Sequence, residues 1–405
     1  MPAQGGWSAS AAGETQRLVS NETNSGYDAI FVGAGVIGLA CAWRAAQRGA
    51  NVCVLERDRP AAGASGVAAG MLAPVGEASW GEERLLALNF ESLRRWPSFA
   101  EQLEEEGDLE TGFAQSGALH VALDRDETEE LRRRYELHRS LGLESEWLRG
   151  RECRTLEPGL ATAVRGGARV PGEATVDPRK VVATLLAALD RRAAVVHSGA
   201  EVVGAGRQAG KWRVAIADGH AFEAANLVLA AGCWSGGARW LSADVAPVRP
   251  VKGEILTLRG SAEDPVCAGI VAGERVYMVP RDDGRLIVGA TVEERGFDTT
   301  VTAGGVHELL REAYRLIPEI AELELAEASA GLRPGTPDNA PLIGHGDAEG
   351  LLIATGHFRN GVLQAPVTAD SIAALLEGAS APVDLEPFSP LRFARRPADS
   401  PVEVA

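Results

Sequence analysis

Short apolar runs and helical sequence alternate near the N-terminus and predict a βαβ unit. Residues 29–32 (AIFV) form one apolar run, residues 36–48 have a helical pattern, and residues 52–55 (VCVL) form a second run. A strand, a turn, a helix and a strand within about 30 residues place two parallel strands side by side. Continuous apolar runs of this length suit strands that are buried on both faces.

The same kind of pattern returns twice. A helix is predicted over 177–192, where Asp-Pro supplies an N-cap residue and a proline for the first turn, and residues 226–231 (NLVLAA) form another buried strand. Near the C-terminus, strand 351–354 (LLIA) precedes a glycine-rich turn and a helix predicted over 361–376. These segments extend the parallel sheet.

Alternating apolar and polar positions predict antiparallel strands elsewhere. Residues 117–123 (GALHVAL) alternate, and Asp283-Gly284 joins strands 275–280 and 285–290 as a hairpin. Further helices are predicted over 82–106, 126–141 and 305–316.

Because parallel and antiparallel patterns occupy different segments, we predict an α/β fold with a Rossmann-like nucleotide-binding domain and an inserted α+β substrate domain that contains an antiparallel sheet. The predicted boundaries are 27–112, 173–246 and 327–380 for the nucleotide-binding domain, 113–172 and 247–326 for the substrate domain, 1–26 for a disordered N-terminal extension and 381–405 for a C-terminal tail.

Composition and charge exclude several classes of protein. The chain has 405 residues and a formal net charge of −16, which argues against nucleic acid or an anionic membrane as a partner. No apolar run approaches the 18 residues or so of a membrane span. Residues 1–26 lack the pattern of a signal peptide, so the cytoplasm is the expected location. The five cysteines show no metal-like spacing, so no metal site is expected.

Glycine is abundant, with 47 residues, and its most informative cluster is the segment Gly33-Ala34-Gly35-Val36-Ile37-Gly38, which Glu56 follows at the end of the next strand. In this pattern Gly33 allows a tight turn, Gly35 lets backbone approach a pyrophosphate, and Gly38 lets helix and strand pack closely. The helix N-terminus offers free N–H groups to phosphate, and Glu56 is placed to bind ribose. The pattern predicts a dinucleotide site.

Two other segments favour FAD over a nicotinamide cofactor. Residues 64–73 (ASGVAAGMLA) are small enough to let backbone lie against a flat ring, although an ordinary surface loop has the same composition. Residues 351–363 (LLIATGHFRNGVL) form a second strand–glycine–helix junction, whose positive end suits a flavin carbonyl that becomes electron-rich on reduction.

These segments resemble the FAD-dependent D-amino-acid oxidase superfamily, and within it the glycine oxidases of the thiamine-biosynthetic type. The resemblance covers about 27–376 and rests on five segments: AAGMLAP (68–74), VKGE (251–254), YMVPRDDGRLIVGAT (277–291), AGLRPGT-D (330–338) and GHFRNG (356–361). It implies an FAD-binding domain like those of D-amino-acid oxidase and glutathione reductase.

The resemblance also implies site residues. Arg333 is expected to hold a substrate carboxylate, with Tyr277 and Arg359 nearby, and no residue is expected as an acid or base. Val292 is expected beside the substrate where a family member has methionine. The expected cofactor contacts are Gly33, Gly35, Val36, Ile37, Gly38, Glu56, Arg57, Ala64, Ser65, Ala69, Gly70, Met71, Val202, His357, Phe358, Arg359, Asn360, Gly361, Val362 and Leu363.

The implied activity is oxidative deamination of glycine, sarcosine or small D-amino acids by O₂, with H₂O₂ release and hand-over of the product to a thiazole synthase. FAD is expected to be non-covalent, because residues 330–363 contain no cysteine. Two interpretations stay open: a D-amino-acid or sarcosine dehydrogenase with another electron acceptor, and a non-catalytic flavin-binding regulator. Whether the chain forms a homo-oligomer is also open.

Overall fold

The structure is a computed structural model, and it describes residues 24–241 and 246–394. These residues form two large β-sheets, one small sheet and a set of α-helices that cover the large sheets. The helices are Val36–Gln47 (α1), Glu83–Gly107 (α2), Arg125–Ser140 (α3), Gly150–Leu156 (α4), Pro178–Arg191 (α5), Ala303–Leu316 (α6) and Ala365–Leu376 (α7).

The first sheet has a parallel centre. Its strands, in spatial order, are Leu342–His345 (β17), Leu351–Thr355 (β18), Ala221–Leu229 (β11), Asn24–Val32 (β1), Val52–Leu55 (β2) and Val195–His197 (β8), and the antiparallel strands Lys211–Ile216 (β10) and Val202–Gln208 (β9) extend from β11. Neighbours from β18 to β8 pair in parallel. Such a sheet needs cover on both faces.

Helices α1, α5 and α7 supply that cover on one face, and α2 packs outside α5 and α7. Trp43 and Phe99 meet edge to face at 5.1 Å in the core between these helices. On the other face, Ile30 and Leu227 pack with Trp212 of the antiparallel extension. The apolar runs of β1 and β2 are therefore buried from both sides.

The second sheet is antiparallel except where β13 pairs with β4. Its strands, in spatial order, are Glu324–Gly335 (β16), Arg249–Arg259 (β12), Arg285–Gly289 (β15), Tyr277–Pro280 (β14), Ile270–Ala272 (β13), Ala118–Ala122 (β4), Gly166–Val170 (β6) and Glu146–Arg149 (β5).

The two faces of this second sheet have different partners. Leu256 and Met278 belong to the core that includes residues of α6, whereas Ile255 and Tyr277, one position away, pack with Ala69. This alternation follows from the two-residue period of a strand. The small sheet pairs Met71–Leu72 (β3) with Ala174–Thr175 (β7).

The predicted fold class is confirmed, and the predicted elements lie close to the observed ones. Asp177 caps α5 by accepting hydrogen bonds from the N–H groups of Arg179 and Lys180. The hairpin of β14 and β15 turns at Gly284, whose φ is +80°. All five cysteines are free and buried. No helix in the described part of the chain is long and apolar enough to cross a membrane.

Three boundaries differ from the prediction. Strand β1 begins at Asn24 because residues 24–26 continue the pairing with β11, so the predicted extension over 1–26 is too long; residues 1–23 lie outside the described residues. Helix α7 begins at Ala365 because residues 361–364 form a turn. Strand β16 crosses the predicted boundary at 326/327 and pairs with β12 along its length, so Arg333 belongs to the second sheet.

Candidate active site

A cavity of about 560 Å³ lies at the carboxyl ends of β1, β2, β11 and β18 and reaches the second sheet. In parallel α/β sheets this edge is the usual ligand site, because helix N-termini and loops converge there. Most of the predicted site residues lie on its wall: Gly33, Gly35, Val36, Ile37, Glu56, Arg57, Ala64, Ser65, Ala69, Gly70, Met71, Val202, Tyr277, Arg333, His357, Phe358, Arg359, Asn360, Gly361 and Val362.

The turn after β1 is shaped for close approach. Gly33 has φ +107°, and a Cβ there would lie 2.5 Å from the carbonyl oxygen of Ala230. Helix α1 starts immediately afterwards with no side-chain cap from Gly35, and the N–H of Val36 donates to Oγ of Ser65 at 3.0 Å. The N-terminus of α1 and the Ser65 hydroxyl therefore lie together at the cavity edge, and a helix N-terminus of this kind suits a pyrophosphate.

Glu56 faces the same turn from the end of β2. Its Oε2 accepts a hydrogen bond from the backbone N–H of Ala34 at 2.8 Å, and its Oε1 accepts one from the backbone N–H of Asp58 at 2.9 Å. Arg57 stacks on the ring of Trp234 with 4.6 Å between guanidinium carbon and ring centroid. An acidic acceptor and an aromatic face therefore border this end of the cavity.

The segment that follows β2 runs along the middle of the cavity. Ala64–Gly66 form a 3₁₀ helix, and Gly70 has φ +70°, with Val176 too close to permit a side chain. Arg281, which directly follows β14 of the second sheet, donates a hydrogen bond to the carbonyl oxygen of Ala69. The loop is thus held with small residues and backbone toward the cavity.

The turn after β18 forms the opposite wall. Gly356 has φ +75°, and a Cβ there would lie 2.5 Å from Cγ2 of Thr336. Phe358 also has a positive φ, +45°, and its N–H donates to the carbonyl of Pro334 at 3.0 Å. A non-glycine residue with a positive φ is strained, so the surrounding contacts must stabilise this conformation of Phe358.

His357 is a neutral structural side chain in this turn. Its Nε2 lies 3.0 Å from Oγ1 of Thr368, and burial lowers the pKa of the imidazole to about 3. An imidazole that is uncharged at neutral pH and paired inside the core is unsuited to accepting a substrate proton. His357 borders the cavity without offering it a base.

Arg333 projects from β16 at the end of the cavity that the second sheet forms. Its Nη1 donates to the carbonyl oxygens of Thr291 at 3.1 Å and Lys252 at 3.4 Å. Within the described ranges, its guanidinium makes no ion pair with a carboxylate. Gly253 makes room for it, since a Cβ there would lie closer than 3.0 Å to the guanidinium. A planar cation left without an anionic partner suits a ligand carboxylate.

Tyr277 interacts with Arg333, and Arg359 lines the same cavity. Tyr277 stands opposite Gly289 in the hairpin, where a Cβ would lie 2.5 Å from the phenol oxygen. Burial raises the pKa of the Tyr277 hydroxyl, so it stays protonated and able to donate. The guanidinium of Arg359 lies over the ring of Phe358 at 5.4 Å.

Three residues predicted for the site do not lie on the cavity wall. Val292 is 66% exposed and does not line the cavity, because Thr291 and Glu293 on either side of it hydrogen-bond to β12 and Val292 faces the opposite, exposed side. Ala290 lines the wall instead. Gly38 lies behind the wall, where it lets α1 approach the carbonyl of Gly33. Leu363 is buried in the core, and its carbonyl accepts a hydrogen bond from Trp96.

The structure also places residues on the wall that sequence reasoning missed, among them Glu77, Trp234 and Gly253. Trp234 follows the glycine after β11, and a glycine after a buried parallel strand is a signal that could have identified this segment. Glu77 follows the quoted motif AAGMLAP by three residues. No group of three or more metal-ligating side chains occurs in the described residues.

The site thus combines a dinucleotide cradle with an arginine-lined end, as expected of a flavoprotein oxidoreductase. The chain belongs to the family described as FAD dependent oxidoreductase, whose model matches residues 28–375. Its residues fit that cofactor, because the open N-terminus of α1, the glycine turn and Glu56 are the groups that an adenine dinucleotide requires.

Particular relatives are also similar. Glycine oxidase of Geobacillus kaustophilus is 36% identical over 369 residues, which cover 90% of this chain and 96% of that protein. The bifunctional protein ThiO/ThiG of Synechocystis sp. is 35% identical over 371 residues, 90% of this chain but only 54% of that longer protein. The crystal structure of the Geobacillus kaustophilus glycine oxidase superposes with a TM-score of 0.85 at 34% identity, covering 93% of this chain and all of that one.

Proposed function

We propose that this protein is an FAD-dependent glycine oxidase that also accepts small amines such as sarcosine or D-alanine. The observation that carries the proposal is the unpaired guanidinium of Arg333, which shares one cavity with the dinucleotide cradle. The similarity to named glycine oxidases supports the same substrate class. The overall reaction converts glycine, water and O₂ into glyoxylate, ammonia and H₂O₂.

Arg333 binds the substrate carboxylate through two parallel hydrogen bonds, and the Tyr277 hydroxyl donates to the same group. Glycine has about five heavy atoms, so at about −1.5 kcal/mol per atom its binding free energy is limited to roughly −7.5 kcal/mol. So small a molecule must be held by its charges. Correct orientation of the Cα–H bond then contributes much of the rate enhancement.

FAD would be held by the turn at Gly33, the N-terminus of α1, Ser65 and Glu56, with the 64–71 loop and the 356–362 turn beside its ring system. When bound, it supplies the acceptor for the two electrons and the hydrogen that leave the substrate Cα. We propose that it is non-covalent. Cys233 is the cysteine on the cavity wall within the described chain, and burial raises the pKa of its thiol to about 12, which keeps it a poor nucleophile.

An anaerobic titration of the FAD-loaded protein with glycine, sarcosine and D-alanine tests the proposal. Glycine should bleach the flavin absorbance, and readmitted O₂ should restore it with one H₂O₂ per glyoxylate. Bleaching without reoxidation by O₂ would instead identify a dehydrogenase with another acceptor. A spectrum that no amine changes would favour a flavin-binding regulator and reject the proposed reaction.

We further propose that the imine product serves thiamine thiazole biosynthesis, since a relative of similar sequence carries the printed name ThiO/ThiG. The test mixes this protein and glycine with a purified thiazole synthase and its other substrates. Thiazole should form faster than when glyoxylate and ammonia replace glycine and this protein. Equal rates would reject a direct hand-over.

A further inference from the structure

Glu77 is a carboxylate on the wall of the same cavity as Arg333, and the reaction proposed above gives it no role. It lies between β3 and α2, lines the cavity with Arg333 and Tyr277, and places its Oε2 4.0 Å from Nε of Arg359. That oxygen is buried and has no hydrogen-bond partner among the described residues. The Glu77 side chain as a whole is 21% exposed and lines the cavity, so its carboxylate is available to a ligand donor.

The backbone that carries Glu77 is held in place from behind. The N–H of Gly76 donates to Oε1 of the fully buried Glu173 at 2.5 Å, and Arg134 of α3 donates to the Gly76 carbonyl. A Cβ at Gly76 would lie closer than 3.0 Å to Nε2 of His120, so a larger residue there would have to displace that ring. The position of Glu77 is therefore set by buried contacts on three sides.

The charges around Glu77 come from several elements. Arg359 faces it from the turn after β18, Arg333 from β16, Arg134 from α3, and Glu173 from the connection between β6 and β7. Tyr277 of β14 faces it as well. Burial raises the pKa of the Glu77 carboxyl, and the three arginines only partly oppose this effect. The pKa of Glu77 is thus closer to the pKa of an amine than the pKa of an exposed glutamate is, which favours proton transfer between the two groups.

Glycine in water carries an ammonium group, which has no lone pair to form the C=N bond of the imine. A hydride can leave Cα only after that nitrogen has lost a proton. Reaction of the abundant ammonium form at neutral pH therefore requires a proton acceptor near the amine, and the neutral His357 and the protonated Tyr277 do not meet this requirement.

We propose that Glu77 accepts the ammonium proton of the bound substrate while Arg333 holds its carboxylate. An N–H bond of the ammonium breaks, an O–H bond forms at Glu77, the nitrogen keeps the electron pair, and no electrons are transferred. Glu77 returns its proton to solvent after the product leaves. This inference rests on the proposed function and adds a catalytic residue to it.

The test measures the rate of anaerobic flavin bleaching at low glycine, kred/Kd, in the FAD-loaded protein between pH 6.5 and 9.5. The wild type should show a plateau through neutral pH, because it binds the abundant ammonium form and takes its proton. Glu77→Gln should react only with free amine, so its kred/Kd should rise about tenfold per pH unit. At pH 7 the loss should be about 10²–10⁴-fold.

Two variants and two binding measurements separate this role from a structural one. Glu77→Asp should restore the plateau at a lower rate, and Glu101→Gln, on the exposed surface of α2, should match the wild type. Glu77→Gln should keep its FAD and its affinity for acetate, a carboxylate without an amine. Loss of FAD or of acetate binding would overturn the inference in favour of a structural role.

The same measurements distinguish failure of the role proposed for Glu77 from failure of the proposed oxidase function. If no amine bleaches the wild type, the proposed function fails and the inference fails with it. If the wild type is bleached and Glu77→Gln has the same pH profile, only the role of Glu77 is rejected.

Discussion

At the scale of single residues, the end of the cavity that carries Arg333 depends on glycines that leave room for neighbouring side chains. Arg333 lies against Gly253 of the paired strand, and Tyr277 lies against Gly289 across the hairpin. Each long side chain therefore rests on bare backbone. Such packing limits the rotamers of Arg333 and Tyr277, which preserves the orientation that a small substrate requires.

Replacing Arg333 tests the carboxylate assignment. Arg333→Ala should lower kcat/KM for glycine by about 10²–10³-fold, because it removes a charge-assisted pair of hydrogen bonds. Arg333→Lys should recover only part of this loss, since an ammonium cannot make the bidentate contact. Steady-state kinetics give the ratio, and absorbance confirms bound FAD. Unchanged glycine kinetics in the alanine variant would contradict the assignment.

Gly253→Ala tests whether the glycine positions Arg333. The added Cβ would lie closer than 3.0 Å to the guanidinium and must displace it, so kcat/KM for glycine should fall by at least about tenfold. Gly206→Ala in β9 is the matched control, because nothing lies within 4 Å of its Cβ. Both variants should retain FAD. Equal kinetics in the two would show that Arg333 tolerates the side chain.

His357 predicts a pH dependence of stability. The folded pKa of about 3 is below the ordinary value of about 6.5, so the unfolded state binds more protons between these values. Stability should therefore fall as pH drops through this window. At pH 5, protonation of His357 in the unfolded state lowers the free energy of unfolding by about 2 kcal/mol relative to neutral pH.

The measurement is urea unfolding at pH 7 and pH 5 with saturating FAD. His357→Gln should lose less unfolding free energy over this interval than the wild type. Substitution of the exposed His220 by Gln serves as the control. An identical pH dependence in wild type and His357→Gln would contradict the prediction.

At the scale of elements, the cofactor site is a set of strand ends. Strands β1, β2, β11 and β18 each deliver their last residue to the cavity edge, and the turn that follows supplies backbone or a short side chain. The parallel pairing brings these ends together because parallel strands present their carboxyl ends at one edge.

Gly33 and Gly49 permit a controlled comparison at this scale. Both have a positive φ, +107° and +92°, but only Gly33 lies against another backbone, at Ala230. Gly49→Ala should cost about 1 kcal/mol of stability and retain FAD. Gly33→Ala must also separate β1 from the segment after β11, so its FAD affinity should fall at least about tenfold. Flavin content after gel filtration and thermal unfolding check both; equal effects would exclude the steric argument.

At the scale of the whole molecule, the cavity lies between the two large sheets. Each of these sheets with its covering helices is one unit, and ion pairs join the two units beside the cavity. Arg179 of α5 donates to both carboxylate oxygens of Glu327 on β16, at 2.9 and 2.7 Å. Asp177, which caps the same helix, accepts from Arg285 of β15 at 2.5 Å. Helix α5 and its N-cap residue, which belong to the first unit, thus contact two strands of the second sheet.

Because the cofactor cavity contacts both units, FAD should stabilise them together. At an FAD concentration 100 times its Kd the expected gain is about 2.7 kcal/mol. Thermal unfolding with increasing FAD should show one transition that moves upward, whereas riboflavin, which lacks the dinucleotide, should move it less. Two transitions, of which FAD shifts only one, would show that the units unfold independently.

Local sequence determined the strand–glycine–helix junctions, the cap of α5 and the hairpin at Gly284, because each depends on residues close together in the chain. Tertiary structure alone decided that Glu77 shares the cavity wall with Arg333, that Gly253 makes room for a guanidinium 80 residues away in the sequence, and that Val292 faces outward. These features depend on the register between β12 and β16 and on the packing of the loop after β3. Distant strands and loops meet only through the burial of their side chains, and that burial is a property of the whole fold.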